Sequence, residues 1–232
     1  VIRTSILDYN LSDFLNWSVI KKTMIYEAGY IEYQEVIKSQ LLVSSIVESK
    51  VGNPIPYYLN QSTSGNLVHH AYSISILLKR VAVSHFDKIV EFGGGYGSMC
   101  RLFRNMNYNK KYVVYDLPEF SALQEFYLNS INTEYMKNTL LTADLDEVKD
   151  ESKNTLLIAT WSISEVPLGL RERFLSNLKF DCCIIAFQSE FDGIDNIEYF
   201  NNFKSWYPNI LFEMTKIDHL PGHFYLTGVR SN

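Results

Sequence analysis

The first third of the chain carries apolar side chains at the spacing of helices. Ser12 or Asp13 can cap a first helix, and a second helical segment is predicted from Glu32 to Val47. A polar loop from Asn60 to Asn66 then leads into another predicted helix. We expect residues 1–82 to form a helical extension whose apolar faces pack either on the rest of the chain or on a second subunit.

Short apolar runs alternate with helical segments in the remainder of the chain, residues 83–232. The run Thr155 to Thr160 shows no polar alternation, which is typical of a strand that helices cover on both faces. The alternation predicts an α/β domain with seven strands, of which the last two form a closing hairpin. The predicted strands are Lys88–Phe92, Lys111–Tyr115, a short one near Tyr135–Met136, Thr155–Thr160, Asp181–Phe187, Ile210–Ile217 and His223–Val229.

The first of these strands ends in a glycine-rich turn. Gly93, Gly94, Gly95 and Gly97 follow the apolar run, and a helical pattern begins at once. Glycine tolerates positive φ and has no Cβ, so a ligand can lie against the backbone at the start of that helix. The second strand delivers Asp116, whose carboxylate can accept both hydroxyls of a ribose. Turn and acid together predict a ligand that contains a nucleoside.

The spacing of the glycines argues against a dinucleotide. Such a site has the pattern G-x-G-x-x-G, whose third glycine lets the helix pack closely. Counted from Gly93 the sixth residue is Ser98, and counted from Gly95 it is Cys100. The chain reads E-x-G-x-G-x-G instead, with Glu91 in the strand itself. Acids beside the turn favour a ligand with positive charge and would repel a diphosphate.

The stretch E-F-G-G-G-Y-G resembles the first motif of class I S-adenosylmethionine-dependent methyltransferases. The resemblance implies S-adenosylmethionine as the cofactor, S-adenosylhomocysteine as the product, and a Rossmann-like, mostly parallel sheet whose last strand inserts antiparallel beside the fifth. Matched by position, the residues implied to bind the cofactor are Glu91, Gly93, Gly94, Gly95, Gly97, Asp116, Leu117, Asp144 and Trp161.

The resemblance also implies a role for several of these side chains. Asp116 would hold the ribose, Leu117 would pack against the adenine, and Glu91 would lie close to the amino acid part of the cofactor. Asp144 would accept a hydrogen bond from the adenine amino group, although a plain turn acid is an equally good explanation of this residue.

Two further segments narrow the resemblance. Together with E-F-G-G-G-Y-G-S, the segments W-S-I-S-E-V-P and H-L-P-G-H-F-Y-L-T-G resemble the bacterial sugar O-methyltransferase family, from about Gly52 to the end of the chain. This implies methyl transfer to a hydroxyl of a nucleotide-linked sugar, or of a glycan or lipopolysaccharide sugar, and hence a part in polysaccharide biosynthesis.

Three residues are candidates for the catalytic base. A sugar hydroxyl is a poor nucleophile unless its proton is removed as it attacks. Glu165 follows the fourth strand at the edge where α/β sheets bind ligands, but it could also be only a favourable charge near a helix N-terminus. His219 and His223 flank the turn of the closing hairpin and have a suitable pKa as a residue type. We rank Glu165 first and His223 second.

Three residues are candidates for contacts with the substrate. In the resembled family, the helix before the first strand borders the cofactor cleft, so the extension is expected to border the active site. His70 and Tyr72 on this helix, and Gln188 after the fifth strand, are therefore candidates. Neighbouring histidines on a helix are, however, more often surface or core residues than catalytic ones.

A metal offers another way to activate the hydroxyl. Glu165, Asp192 and Asp195 follow the fourth and fifth strands and could hold Mg²⁺. Three acids on loops are common by chance, so a metal is possible but not favoured.

Composition and charge exclude some functions. The net charge is −5 and there is no Lys/Arg-rich run, which argues against nucleic acid as the partner. No apolar stretch is long enough to span a membrane and no signal peptide opens the sequence, which begins at Val1 and leaves open whether residues precede it. Cys182 and Cys183 are neighbours in one strand and cannot readily bridge, so we expect buried free thiols and a cytoplasmic protein.

Two other functions remain open at this point. A nucleotide-dependent oxidoreductase or epimerase is disfavoured because the third glycine and a Tyr-x-x-x-Lys pair are missing. A non-catalytic partner subunit with a methyltransferase fold is disfavoured because the glycines and Asp116 are intact. A homo-oligomer formed through the N-terminal helices is possible in either case.

Overall fold

The computed structural model describes residues 10–149 and 152–231. Within these ranges, no helix combines the length and the apolar character that crossing a membrane requires. The helices are α1 (Ser18–Thr23), α2 (Tyr30–Val36), α3 (Gln40–Ser45), α4 (Gly65–Leu78), α5 (Ser98–Asn105), α6 (Pro118–Ile131), α7 (Leu145–Val148), α8 (Leu168–Asn177) and α9 (Asn196–Lys204). The strands are β1 (Pro56–Tyr57), β2 (Asn60–Ser64), β3 (Lys88–Phe92), β4 (Lys111–Tyr115), β5 (Thr139–Thr142), β6 (Thr155–Thr160), β7 (Cys182–Gln188), β8 (Glu190–Phe191), β9 (Ile194–Asp195), β10 (Ile210–Lys216) and β11 (His223–Arg230).

The chain divides into two compact units. The first, which we call the loop unit, consists of the described residues up to Ser75, with Gly94–Asn109 and Asp116–Leu141. The second, which we call the sheet unit, consists of Ile76–Gly93, Lys110–Tyr115 and the described residues from Thr142 onward. The loop unit thus contains most of the glycine turn, and the sheet unit contains most of the strands.

Seven strands form one sheet in the order β10-β11-β7-β6-β3-β4-β5. Strand β3 is parallel to β4 and β6, and β6 is parallel to β7. Strand β11 runs antiparallel to both of its neighbours, β7 and β10. The prediction of a mostly parallel seven-stranded sheet, with the last strand antiparallel beside the fifth, is confirmed.

The central strands are buried along nearly their whole length. Every residue of β3 is buried, including Lys88, whose ammonium donates a hydrogen bond to the carbonyl of Val148 at 2.7 Å. In β7 all residues but Gln188 are buried. Cys182 and Cys183 in this strand are free and buried, as is Cys100, so the expectation of buried free thiols is confirmed.

The third strand of the sheet lies later in the chain than predicted. Residues Tyr135–Met136 belong to a 3₁₀ turn that Asn132 caps by accepting a hydrogen bond from the N–H of Glu134 at 3.0 Å. Asn138 adopts a positive φ of 59°, and the strand begins only after it. The prediction missed this because the cap and the reversal at Asn138 leave residues 139–142 as the extended segment.

The expected polar loop at residues 60–66 is wrong for its first part, which forms β2. This strand pairs antiparallel with β1. Its last two residues, Thr63 and Ser64, are buried, and Ser64 donates a hydrogen bond to Glu48 Oε2 at 2.5 Å. The strand shows no apolar alternation because hydrogen bonds, and not apolar contacts, hold it in place.

The N-terminal helices are shorter than the sequence suggested. Asn10, and not Ser12 or Asp13, caps the first 3₁₀ turn, and extended backbone at Trp17 separates this turn from α1. The segment predicted as one helix from Glu32 to Val47 is broken into α2 and α3 by Ser39, which caps α3 through the N–H of Leu42. Capping side chains thus end and restart helices that the apolar spacing alone would continue.

Within the loop unit, the N-terminal helices pack on the chain's own α5 and α6. Phe14 is fully buried, and its ring lies 5.9 Å from that of Tyr96 and 5.8 Å from that of Tyr127, in edge contacts. Arg101 of α5 forms an ion pair with Glu48 and donates to the hydroxyl of Tyr127 at 2.9 Å. The extension is therefore held by both aromatic packing and a buried ion pair.

The ion pair yields a stability prediction. Arg101→Met leaves the carboxylate of Glu48 buried without its cation, and breaking such a pair typically costs about 3–5 kcal/mol. We expect a loss of that size in the free energy of unfolding, measured with urea. Adding Glu48→Gln should recover part of the loss, because the neutral amide needs no counter-charge.

Arg173, which is exposed on α8, provides the control. Arg173→Met should change the free energy of unfolding by less than about 0.5 kcal/mol. An Arg101→Met protein as stable as the wild type would show that the pair does not hold the extension.

Candidate functional site

The glycine turn connects β3 to α5 with a backbone that favours glycine. Gly93, Gly95 and Gly97 have φ values of 73°, 56° and 95°. A Cβ on Gly93 would also collide with the side chain of Ser162, so this position requires glycine for space as well as for φ. The N–H of Gly93 donates to the carbonyl of Tyr115 at 2.9 Å, which ties the start of the turn to the end of β4.

Asp116 follows β4, and its carboxylate is bound by the loop unit. Oδ1 accepts a hydrogen bond from the N–H of Leu117 at 2.8 Å, and Oδ2 accepts one from Nε2 of Gln124 at 2.9 Å. Interactions with the backbone of Gly94 and Gly95 lower the pKa of this carboxyl, and Nε2 of Gln124 also donates to the carbonyl of Gly95 at 3.0 Å. The predicted ribose acid and the predicted glycine turn are therefore brought together.

The charge of Asp116 is held in a partly dehydrated position. Burial raises the pKa of Asp116 to about 6, and the hydrogen bonds from Leu117, Gln124 and the two glycines act in the opposite direction. At neutral pH the group is mainly ionised and remains an acceptor. Such a carboxylate gains more from a ligand that donates hydrogen bonds than a fully hydrated one does.

Gln124 was not predicted, and it connects the two parts of this site. Its side chain is fully buried on α6, and Nε2 donates both to Asp116 and to the carbonyl of Gly95, at 3.0 Å. Its Oε1 is buried without a partner in the described part of the chain. The available signal was a polar side chain beside Leu123, Tyr127 and Leu128 on the apolar face of the predicted helix.

Met24 lies against the turn at Gly95. Its Cγ and Sδ are 3.6 Å and 3.7 Å from the point where a Cβ of Gly95 would be, which is ordinary van der Waals distance. The N-terminal extension thus contributes a flexible thioether to this part of the loop unit. A ligand that lies against Gly95 would contact or displace that side chain.

Three other predicted cofactor residues differ in their surroundings. Leu117 is 60% exposed, which leaves its side chain available to a ligand. Glu91 is buried in β3 and accepts a hydrogen bond from the hydroxyl of Tyr112 at 2.8 Å. Asp144 caps α7 by accepting from the N–H of Asp146 at 2.8 Å, which is the turn role that the sequence left open.

In the sheet unit, Trp161 has a strained backbone at the end of β6. Its φ of 63° and ψ of −36° lie outside the backbone regions that residues other than glycine normally adopt. Its N–H donates to the carbonyl of Ala186 at 2.7 Å, and its carbonyl accepts from the hydroxyl of Ser164 at 2.6 Å. A conformation of this kind costs on the order of 1–3 kcal/mol and is found preferentially at functional sites.

The ring of Trp161 determines which nitrogen of His223 carries a proton. Nε1 of Trp161 is 2.8 Å from Nδ1 of His223. An indole N–H can only donate, so Nδ1 is the acceptor, and the proton of the neutral imidazole is on Nε2. His223 in this arrangement therefore offers a hydrogen-bond donor, and its one lone pair is occupied.

Glu165 and Gln188 form a second pair at the same strand ends. Nε2 of Gln188 donates to Oε1 of Glu165 at 3.3 Å, and the hydroxyl of Ser164 shares its one proton between the carbonyl of Trp161 and Oε1 of Gln188, at 2.6 Å and 2.9 Å. Desolvation raises the pKa of Glu165, and the hydrogen bond from Gln188 opposes this. Gln188 also lies opposite His223 in the pairing of β7 with β11. Four predicted site residues, Trp161, Glu165, Gln188 and His223, are thus neighbours in the sheet unit.

The remaining histidine candidates lie elsewhere in the chain. His70 is half-buried on α4, and burial lowers the pKa of its imidazole to about 3. The neighbouring His69 is buried, and its Nδ1 is 2.9 Å from Oε1 of the equally buried Glu32. Tyr72 is half-buried on the same helix, and His219 lies in the turn between β10 and β11.

The acids considered for a metal are placed by a small hairpin that the sequence did not predict. Strands β8 and β9 pair around Asp192, which has a φ of 51°, and Asp195 caps α9 through the N–H of Glu198 at 2.9 Å. Among residues 10–149 and 152–231, no three His, Cys, Asp or Glu side chains come close enough to hold a metal ion.

Comparison with known proteins identifies the fold. No protein-family model and no curated protein sequence matches the chain. The structure of the glycopeptide N-methyltransferase MtfA with S-adenosylmethionine matches with a TM-score of 0.53 and 7% identity, over 70% of this chain and 87% of MtfA. The methyltransferase domain of bacterial CtHen1-CN matches with a TM-score of 0.50 and 10% identity, over 68% of this chain and 95% of the other. At such low identity the similarity shows a Rossmann-like methyltransferase fold, and nothing about substrate.

The raised pKa of Asp116 yields a prediction about stability. Because folding disfavours the ionised carboxyl, its charge lowers the free energy of unfolding above about pH 6, by at most about 3 kcal/mol. This cost is relieved as the pH falls towards 4. Asp116→Asn removes the charge, so the melting temperature of the variant relative to the wild type should be highest near pH 8 and should decline towards pH 4.

Asp87 is a control of opposite sign. Hydrogen bonds from Lys110 and Asn154 lower the pKa of Asp87, so its ionised form stabilises the fold. The melting temperature of Asp87→Asn relative to the wild type should therefore rise as the pH falls. A difference for Asp116→Asn that is independent of pH, or that has the slope of the Asp87 control, would contradict the prediction.

Proposed function

We propose that this protein binds S-adenosylmethionine and transfers its methyl group to a hydroxyl of a sugar. The observation that carries the proposal is the link from the carboxylate of Asp116 through Nε2 of Gln124 to the carbonyl of Gly95 in the glycine turn. These elements form a short glycine turn beside an acid, on a fold that methyltransferases use. Such a turn suits a cofactor with a sulfonium, an ammonium and a ribose better than one with a diphosphate.

The donors and acceptors of the loop unit fit this cofactor. Asp116 would accept hydrogen bonds from the ribose hydroxyls. Gln124, which already donates to Asp116, also has a buried oxygen, Oε1, without a partner in the described part of the chain, and this oxygen is a further acceptor. Leu117 is exposed and would pack against the adenine. Gly95 and Gly97 would leave room for the methionine part, and Met24 would turn aside from Gly95 to admit it.

The sheet unit would contribute the remaining contacts. Glu91 would lie close to the amino acid part of the cofactor, and its orientation is supported by the hydroxyl of Tyr112. Gly93 begins the turn after β3, and Trp161 directly follows the neighbouring strand β6. Both would contact the cofactor. The proposed adenine contact of Asp144 would use the carboxylate oxygen that does not cap α7, because Oδ1 accepts from Asp146.

The sugar acceptor is proposed from two sequence segments that meet in the sheet unit. Trp161 and Glu165 come from W-S-I-S-E-V-P, and His223 comes from H-L-P-G-H-F-Y-L-T-G. The hydrogen bond between Trp161 and His223 joins these segments, which are the ones that resemble sugar O-methyltransferases. Gln188 beside them would bind another hydroxyl of the sugar.

Glu165 is the base that the geometry favours. Its carboxylate is exposed enough to meet an acceptor, and its raised pKa makes it a better proton acceptor than an ordinary glutamate. His223 would instead donate from Nε2 and orient the sugar. When bound, S-adenosylmethionine supplies an electrophilic methyl group with a good leaving group. The protein would then hold the acceptor oxygen in line with that group and take its proton on Glu165.

The roles of the extension and of a second subunit are also proposals. We propose that residues 1–82 border the active site, that His70 and Tyr72 contribute to binding the substrate, and that the enzyme acts in the cytoplasm. Between Tyr30 and Leu59, eight large apolar side chains are exposed, and a second copy of the chain would cover them. Light scattering of the purified protein tests that association. The exposed residues are Tyr30, Ile31, Ile37, Leu41, Val47, Ile55, Tyr58 and Leu59.

Binding of the cofactor product tests the first half of the proposal. We expect S-adenosylhomocysteine to bind the wild type in calorimetry, and Asp116→Ala to abolish this binding because the ribose loses its acceptor. Asp146→Ala, which removes an exposed acid of the same type, should leave the affinity unchanged. Unaltered affinity in Asp116→Ala, or tight binding of NAD by the wild type, would exclude the proposed cofactor site.

Turnover with sugar acceptors tests the second half. Glu165→Gln should bind S-adenosylhomocysteine normally but slow methyl transfer about a hundredfold or more, the usual scale for a lost base. The assay is the release of S-adenosylhomocysteine with a panel of nucleotide-linked sugars. Glu190→Gln, an exposed glutamate on β8, is the matched control and should retain the wild-type rate. Full activity in Glu165→Gln would show that Glu165 is not the base.

A further inference from the structure

Arg171 is a buried cation, and the packing of helices on the sheet does not by itself explain why a charge lies there. It lies on α8 and has no exposed surface, although arginine is rarely buried completely. The signal in the sequence was an arginine three residues before the buried Phe174, on the apolar face of its helix. A group that is so costly to bury must be matched by several hydrogen bonds.

The guanidinium binds the backbone on both sides of Glu165. Its Nη2 donates to the carbonyl of Ser164 at 2.6 Å, and its Nε donates to the carbonyl of Val166 at 2.8 Å. The side chain of Glu165 itself is not among these contacts. Arg171 therefore restrains the backbone that carries the glutamate and leaves its carboxylate available.

A second chain of hydrogen bonds connects Arg171 to the other partner of Glu165. Nη1 of Arg171 donates to Oδ1 of Asn196 at 2.6 Å, and Nδ2 of Asn196 donates to the backbone carbonyl of Gln188 at 2.9 Å. Gln188 in turn donates to Glu165, and its Oε1 lies 2.9 Å from the hydroxyl of Ser164. One arginine thus holds both the glutamate and the glutamine that binds it.

The partners of Arg171 are an unusual set for a buried cation. In the part of the chain that the structure describes, they are two carbonyl oxygens and one amide oxygen, and none of them is a carboxylate. The ring of Tyr199 lies 5.1 Å from the guanidinium carbon and adds a cation–π contact. An arginine that only stabilises the fold could be neutralised by any nearby acid. Arg171 is bound instead by the carbonyl groups beside Glu165 and by Asn196, which binds the carbonyl of Gln188.

We infer that Arg171 is a positioning residue for Glu165: it binds the carbonyl groups on both sides of the glutamate and, through Asn196, the end of β7 that carries Gln188. The inference rests on the proposed role of Glu165 as the base. The three directional bonds require the planar fork of an arginine, because a lysine ammonium can reach only some of the three acceptors.

The test measures the pKa of Glu165 directly, and it needs no acceptor. The wild type is labelled with ¹³C at the glutamate carboxyl groups, and the Glu165 signal is assigned with Glu165→Gln and titrated by NMR. Arg171→Met should raise the pKa of Glu165 by about half a unit or more, because Gln188 no longer donates to its charged form. Gln188→Leu should produce a similar rise, and the double variant should rise no further.

Matched variants separate positioning from a general loss of stability. Arg171→Lys should restore part of the wild-type pKa, and Arg173→Met on the same helix should not change it. Arg101→Met removes an arginine of the loop unit that is almost as buried, so it should lower stability without moving the Glu165 signal. If Arg171→Met does not fold, Arg171→Lys and Asn196→Ala decide the matter, since each interrupts the same chain of hydrogen bonds.

An unchanged Glu165 pKa in folded Arg171 variants would overturn the inference, as would a double variant whose rise is the sum of the two single ones. The second result would mean that Arg171 acts on Glu165 only through its charge. Binding of S-adenosylhomocysteine, measured on the same proteins, should stay within about threefold of the wild type. A wild type that binds no S-adenosylhomocysteine would refute the proposed function, while the pKa measurements would still decide the role of Arg171.

Discussion

The carboxylate of Asp116 is the group on which the organisation of the loop unit depends. It accepts hydrogen bonds from the N–H of Leu117 and from the amide of Gln124, which also donates to the carbonyl of Gly95. A turn made of glycines has high conformational entropy when unfolded, so the bonds that tie it to Asp116 through Gln124 have an ordering effect on it. The same group holds the turn and is the acceptor that we propose for the ribose.

Two buried arginines, one in each unit, each connect separate segments of the chain by hydrogen bonds. Arg101 binds Glu48 and the hydroxyl of Tyr127 in the loop unit, and Arg171 binds carbonyl and amide oxygens in the sheet unit. Both guanidinium groups connect segments that are far apart in the sequence. The pairs differ in chemistry, because Arg101 has a carboxylate partner and Arg171 does not. The first arrangement fixes the N-terminal extension on α5, and the second fixes the strand ends around Glu165.

The strand ends of the sheet unit divide the roles among the proposed catalytic residues. The indole of Trp161 occupies Nδ1 of His223, so the histidine is left with a donor at Nε2. Glu165 has a raised pKa and a side-chain donor in Gln188. Two residues that the sequence offers as candidate bases are thus left with different hydrogen-bonding groups, because each has a different neighbour. Trp161, whose ring makes the bond to His223, also has a strained backbone.

The sequence by itself determined the strands, the order in which they follow one another, the glycine turn and the acid after β4, because these depend on neighbouring residues and on the period of apolar side chains. It failed at β2, whose polar residues are ordered by Glu48, and at β5, where the reversal at Asn138 moves the strand. Only the tertiary structure decided the partners of Gln124, Arg171 and His223. Those partners lie between five and sixty-two residues away, and hydrogen bonds of such varied separation leave no period in the sequence.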